Sequence, residues 1–326
     1  MDVMNRALVK KCISDSQWLF LSLAVLLFVF CWFRVWIVSF LEMPSFAAVV
    51  QPLWEKFGQF SPVALDHLLS YPGRVALTFV EPLVFLSIVI WGIARGSDAV
   101  SGELSRGTME MVMAQPVSRL QVLYTHVMVT VAGLVLLCFC CWFGILVGVE
   151  TTQIVEPATR PSWTIPGTEW TFSLPLGRAE PRVVGLATKV NCRDMIPPAI
   201  NLLCLGFTMS GLATLFSSWD RYRWRSIGIV SGIFILQMMA KIGAKSTDSL
   251  GFLQWTTFLS AFEPQIQVQV AVDYPAQLWS WRLLDVAGET GGLGPLSSNA
   301  ILLSIGLLSY LTATWIFCRR DLPAPI

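Results

Sequence analysis

The side chains with usable chemistry gather in one stretch, Gly102–Arg119, instead of forming a catalytic set. Glu103, Arg106 and Glu110 stand at i, i+3 and i+7, so a single helix would place all three on one face. Leu104, Met109, Met111, Val112 and Met113 would cover the other face. Fixed charges on one side and soft, adaptable thioethers on the other are the chemistry of recognition, not of bond breaking. Pro116 stops the helix, and Ser118-Arg119-Leu120-Gln121 reads as a capping box that starts the next one. A surface helix, a sharp elbow and a following long helix can pass a push from one to the other. From these residues alone two uses stand side by side: docking a soluble partner, or lying on lipid headgroups.

Hydrolytic or metal chemistry would require other residues. The only two histidines are His67, which reads as a solvated loop residue, and His126, which reads as interfacial. No aspartate lies deep in an apolar run, and neither H-E-x-x-H nor the phosphate loop G-x-x-x-x-G-K-[ST] occurs. The chain is therefore expected to be no enzyme, to hold no metal or cofactor and to supply no ATPase. Of the eight cysteines, Cys31, Cys138, Cys140, Cys141, Cys204 and Cys318 fall in apolar runs, Cys12 precedes the first, and Cys192 lies in a polar loop. With no CxxC pair they read as buried small hydrophobes.

The elements that must position Gly102–Arg119 are membrane helices. The chain is 55% hydrophobic and 13% charged, against about 25% charged in soluble domains. A net charge of +1 argues against nucleic acid as a partner. Six apolar runs approach the roughly 20 residues that cross a bilayer: 18–41, 75–94, 122–149, 196–218, 227–243 and 300–318. The first is too long and too aromatic for a signal peptide. In the fifth, Gly228-x-x-x-Gly232 points to close helix packing.

Arg6, Lys10, Lys11, Arg95, Arg106, Arg119, Arg221, Arg223, Arg225, Arg319 and Arg320, eleven of the 22 basic residues, lie in the short segments on one side. By the positive-inside rule both termini and Gly102–Arg119 are cytoplasmic, and segments 42–74, 150–194 and 244–298 are outer loops. Within these, Ser61-Pro62 is expected to start a short helix ending at Leu69. The alternation of Trp170, Phe172 and Leu174 predicts a partly β cap. Leu250–Phe262 reads as a re-entrant or interfacial helix with Pro264 behind its end. Residues 1–326 then form a single all-α membrane domain.

Two charges fall inside the apolar runs. Arg34 lies about eight residues before the outer end of the first run and Glu81 about seven after the start of the second. At about 1.5 Å per residue both sit near 11 Å depth, which invites an ion pair that gates the outer end. Glu81-Pro82 also invites a kink. Lys241 reads as a snorkelling side chain.

Gly102-Glu103-x-x-x-Gly107-Thr108-x-Glu110, then Ala114-Gln115-Pro116-Val117-Ser118-Arg119, resembles the signature after the second span of ABC type-2 (exporter-type) permeases. It looks nearest to the branch containing the nitrous-oxide-reductase maturation permease. The close Arg319-Arg320-Asp321-Leu322-Pro323 is similar too, so the resemblance covers nearly the whole chain. It implies that Gly102–Arg119 is a coupling helix that docks on a separate cytoplasmic ABC ATPase, with ATP and Mg on that subunit. Glu103, Arg106, Thr108, Glu110 and Arg119 would be the contacts and Pro116 the elbow. It also implies two permeases paired, as a homo- or heterodimer, around a path bordered by the first, second and fifth spans. The protein would be a multi-pass exporter subunit in the cell membrane, in contact with lipid. The Met-rich face departs from the commoner Leu-rich pattern. The rival reading is a scaffold that recruits a cytoplasmic partner without transporting. A secondary transporter is disfavoured, since no interrupted helices recur in symmetric halves. The spans carry no dense polar lining, which leans towards an amphiphilic cargo.

Overall fold

The computed structural model describes residues 6–40, 43–156, 162–164, 171–173, 182–283 and 292–320. Among them are six helical runs long and apolar enough to cross a membrane: Arg6–Phe40, Tyr71–Ser105, Arg119–Thr151, Cys192–Trp219, Arg223–Ser246 and Pro295–Arg319. They are numbered here as the first to sixth spans. Several exceed their apolar runs, because helical hydrogen bonding continues into polar turns that hydropathy does not mark. The start of the first span, the ends of the second and fourth, the starts of the third and fifth and the end of the sixth all meet at one end of the bundle. This is called the terminal end below.

The fourth span is the hub. It packs against the second, third, fifth and sixth, and 67% of its apolar window is buried, against 11% for the fifth. The close approach of second and fourth spans depends on Gly92 and Gly96, four residues apart on one face. A Cβ at Gly96 would lie 2.5 Å from the Ser210 carbonyl oxygen, and one at Gly92 would lie 3.0 Å from that of Gly206. Gly144 and Gly148 serve the third span against the first in the same way, facing Phe28 and Val35. Small residues at this spacing let helix backbones meet where no hydrophobic force drives them together. The expected packing pair, Gly228 and Gly232, does not pack within this chain: nothing lies within 4 Å of a Cβ built at either. The fifth span is peripheral, and that face is turned away from the bundle.

The second span is broken where Glu81-Pro82 predicted a kink. Leu77–Val80 tightens into a 3₁₀ turn, Glu81 is extended with ψ 131°, and the helix restarts with Pro82 at its first position. The segments at the far end differ from expectation. A helix not foreseen runs Met43–Phe57. Ser61-Pro62 starts no helix, because the Ser61 hydroxyl closes a local turn with the backbone of Val63, and Leu65–Leu69 begins after Ala64. The cap on the third and fourth spans consists of two short antiparallel ladders, Gln153–Glu156 with Arg182–Gly185 and Ser162–Thr164 with Thr171–Ser173. Phe172 falls in the last strand, while Trp170 and Leu174 lie outside the described residues. The segment expected to be a re-entrant or interfacial helix consists of two 3₁₀ stretches, Asp248–Trp255 and Phe258–Ala261, and Pro264 opens a helix, Pro264–Asp273, instead of following one.

Two side-chain expectations also change. Lys241 does not snorkel; its ammonium donates to the carbonyls of Leu259 and Phe262 at 3.0 and 2.8 Å. His67 is buried, not solvated, with Nδ1 3.7 Å from Asp273. Burial holds its imidazole below the ordinary range against the opposing pull of Asp273.

The glycine contrast is directly testable. Gly96→Leu should lower stability by about 1–3 kcal/mol, since it overpacks against backbone that cannot yield. Gly228→Leu in the isolated permease should stay within about 0.5 kcal/mol. Thermal unfolding midpoints in detergent read both, and equal losses would refute the assignment of the packed face.

Candidate functional site

At its terminal end the second span widens into a π turn over Asp98–Gly102. The cause is the Ser217 hydroxyl of the fourth span, which enters the helical ladder. It accepts from the backbone N–H of Val100 at 3.1 Å and of Ser101 at 2.8 Å, and donates to the Ser97 carbonyl at 2.9 Å. Insertion of a side chain into the ladder is a recognised origin of such bulges.

The bulge leads into two buried carboxylates. Asp98, 3% exposed, receives Arg106 at 2.7 Å, Arg223 of the fifth span at 3.3 Å and Arg95 at 3.3 Å. Glu103, 1% exposed, receives Lys11 of the first span at 2.6 Å, Arg106 at 3.0 Å and the Thr108 hydroxyl at 2.5 Å. Arg106 bridges both acids. Burial alone would lower its pKa, but the two carboxylates outweigh that and hold it above the ordinary value. Arg95 also reaches the Cys12 carbonyl, and Arg223 the Ala94 carbonyl. Four cations and two acids thus join three spans to the connection that leaves the second.

That connection is not one helix. A short turn, Glu103–Ser105, ends at Arg106; Gly107 takes φ +71°, and a separate helix runs Met109–Met113. The left-handed backbone at Gly107 suits a residue without Cβ. It also undoes the common face expected for Glu103, Arg106 and Glu110: Glu103 turns into the bundle while Glu110 is exposed. Met109 belongs to a core with Ala99, Val100, Leu123 and Phe317, whereas Met111 is 67% exposed. Thr108 is occupied with Glu103. Pro116 is exposed beyond the short helix, and the capping box forms between Ser118 and Gln121. Arg119 is committed inward: it donates to the carbonyls of Phe317 and Arg320 at 3.1 and 2.6 Å, capping the sixth span. Arg320 likewise caps the fourth span through Ser218 and Asp220. His126, expected near the interface, is buried within the bundle.

Lys11, Arg95, Asp98 and Arg223 are the members that sequence reasoning missed. Arg95 and Asp98, three residues apart at the end of an apolar run, carried a signal; Arg223, distant in sequence, carried none. At the opposite end Arg34 Nε stands 3.1 Å from Glu81 Oε1, the carboxylate sitting on the residue where the second span breaks. Among the described residues no group of His, Cys, Asp and Glu is arranged to hold a metal.

Six helices long and apolar enough to cross a membrane, with a charge-locked connection between the second and third, mark a multi-pass membrane protein. The chain belongs to the ABC-2 family of transporter proteins, whose family model matches residues 16–322. Comparison with curated proteins gave no match. Family membership makes it the membrane permease component of an ABC transporter and implies association with a cytoplasmic ABC ATPase.

Glu103→Gln removes a buried acceptor from Lys11, Arg106 and Thr108; the two cations are partly exposed, and Arg106 keeps Asp98. It should destabilise the protein by about 1–3 kcal/mol, read as a lowered unfolding midpoint. Glu110→Gln, on an exposed carboxylate, should leave the midpoint nearly unchanged.

Proposed function

We propose that this chain is the permease half of an ABC exporter in the cell membrane, with its terminal end in the cytoplasm. Residues 102–119 are the coupling element: the ATPase subunit, carrying ATP and Mg, presses on the exposed Glu110, Met111, Gln115 and Pro116. The observation that carries this reading is the ion cluster, in which Arg106 and Glu103 tie the connection to Lys11, Arg95 and Arg223 on three spans. A displacement of the connection is then a displacement of the first, second and fifth spans together. A cavity of about 280 Å³ between Ala7, Leu8 and Lys11 on one side and Thr108, Met111 and Gln115 on the other offers a seat for a partner side chain. The contacts carried over by resemblance divide accordingly. Glu110 and Pro116 face the partner, while Glu103, Arg106, Thr108 and Arg119 transmit. The permease pairs with a second copy or a homologue, and the nearest branch remains that of the nitrous-oxide-reductase maturation permease. Arg34 and Glu81 latch the outer end of the path.

Glu110→Arg should abolish co-purification with the ATPase or its ATP hydrolysis while leaving the unfolding midpoint intact. If assembly and ATPase activity both survive, the coupling role is wrong. Retained assembly without any ATP-dependent transport would favour the scaffold reading instead. For the latch, Arg34→Glu and Glu81→Arg should each impair transport, and the double swap should restore it. Failure of the swap to rescue would remove the pair from the mechanism.

A further inference from the structure

A cavity of about 430 Å³ lies opposite the ion cluster, between the fifth span, the second span and the segment Phe258–Ala261 with its following residues. Its walls are mostly apolar, with Leu77, Val80, Phe85, Phe234 and Met238 prominent. The volume falls in the lower part of the roughly 300–1,000 Å³ typical of small-molecule sites. Three charged residues border it: Lys241, Lys245 and Glu263.

The charges do not cancel. Both ammonium groups address the same carboxylate oxygen, Glu263 Oε1, at 3.0 Å from Lys241 and 3.3 Å from Lys245. Lys241 is fully engaged, because its other two N–H groups serve the carbonyls of Leu259 and Phe262. Lys245 donates besides only to the Phe60 carbonyl, at 3.3 Å, so one of its three N–H groups has no acceptor among the described residues. Among the described residues one positive charge therefore stands in excess at a mostly apolar cavity, on a partly buried lysine. Its remaining donor is complementary to an anionic acceptor, and the apolar walls to hydrocarbon.

We propose that this cavity binds a single-chain anionic amphiphile, a fatty-acid-like carboxylate, with its head on Lys245 and its chain along Phe234 and Met238. A two-chain phospholipid would have to leave a chain outside a cavity of this size. Taken as the exporter's cargo, the amphiphile rests on the function proposed above; its binding does not.

The test uses the purified full-length permease in a neutral detergent without any ATPase, so a failure of coupling cannot be mistaken for a failure of binding. Radiolabelled dodecanoate should bind saturably, and dodecanol at least tenfold more weakly. Lys245→Gln should weaken dodecanoate at least tenfold and leave dodecanol unchanged. Met238→Trp, which fills the cavity from the fifth span, should weaken both. Unfolding midpoints equal to wild type establish that the variants are folded, and the two variants act independently. Wild-type affinity for dodecanoate in Lys245→Gln, or equal binding of acid and alcohol, would overturn the proposal. So would displacement of dodecanoate in phosphatidylglycerol nanodiscs but not in phosphatidylcholine ones, which would make the occupant a bilayer phospholipid.

Discussion

The arrangement of the terminal end depends on burying two carboxylates, Asp98 and Glu103, almost completely at the edge of a membrane bundle. A charge at apolar depth costs about 3 kcal/mol or more unless it is compensated. Compensation here comes from four cations carried by three spans and the connection, so none of these four elements can shift alone without breaking an ion pair. The Ser217 insertion and the left-handed Gly107 are the backbone adjustments that bring Asp98 and Glu103 onto their partners. The remaining arginines follow a related rule. Arg119 and Arg320 satisfy the orphan carbonyls of helix C-termini, so part of the basic surplus at this end closes helix ends.

The cluster gives the proposed coupling a mechanical form. A partner's push on Glu110 and Met111 would meet a short helix that is anchored by Met109 in the core with Ala99, Val100, Leu123 and Phe317. The same connection is fixed at Glu103 and Arg106 to the first, second and fifth spans, and at Arg119 to the sixth. The two functions that a single amphipathic helix was expected to combine are thus divided. In the proposed coupling the partner-facing residues, Glu110 and Pro116, lie after Gly107, and the transmitting ones flank it, with Glu103 and Arg106 before and Thr108 and Arg119 after.

The spans were readable because apolar length is a one-dimensional property, and the Ser118–Gln121 cap because its partners are three residues apart. The Arg34–Glu81 contact is a case where few charges in apolar runs leave few partners to choose from. What escaped was set by tertiary context. Gly92-x-x-x-Gly96 and Gly228-x-x-x-Gly232 have the same spacing, yet only the first faces a neighbour, because the fourth span is central and the fifth peripheral. The helical wheel over residues 103–110 failed because the burial of Glu103 outweighs helix continuity, and Gly107 permits the break. Arg223 could not be assigned to Asp98 from sequence, since only the fold brings them together.

The central claim is that the connection and the fifth span move as one body. Spin labels at the exposed positions Gln115 and Trp224, in a permease lacking Cys318, would report it by pulsed distance measurement on the assembled transporter with and without ATP and Mg. The account predicts a single within-chain distance that is the same in both states, while the distance between the two Gln115 labels of a paired complex changes. A within-chain distance that lengthens on addition of ATP would show that the connection moves free of the spans, and would contradict it.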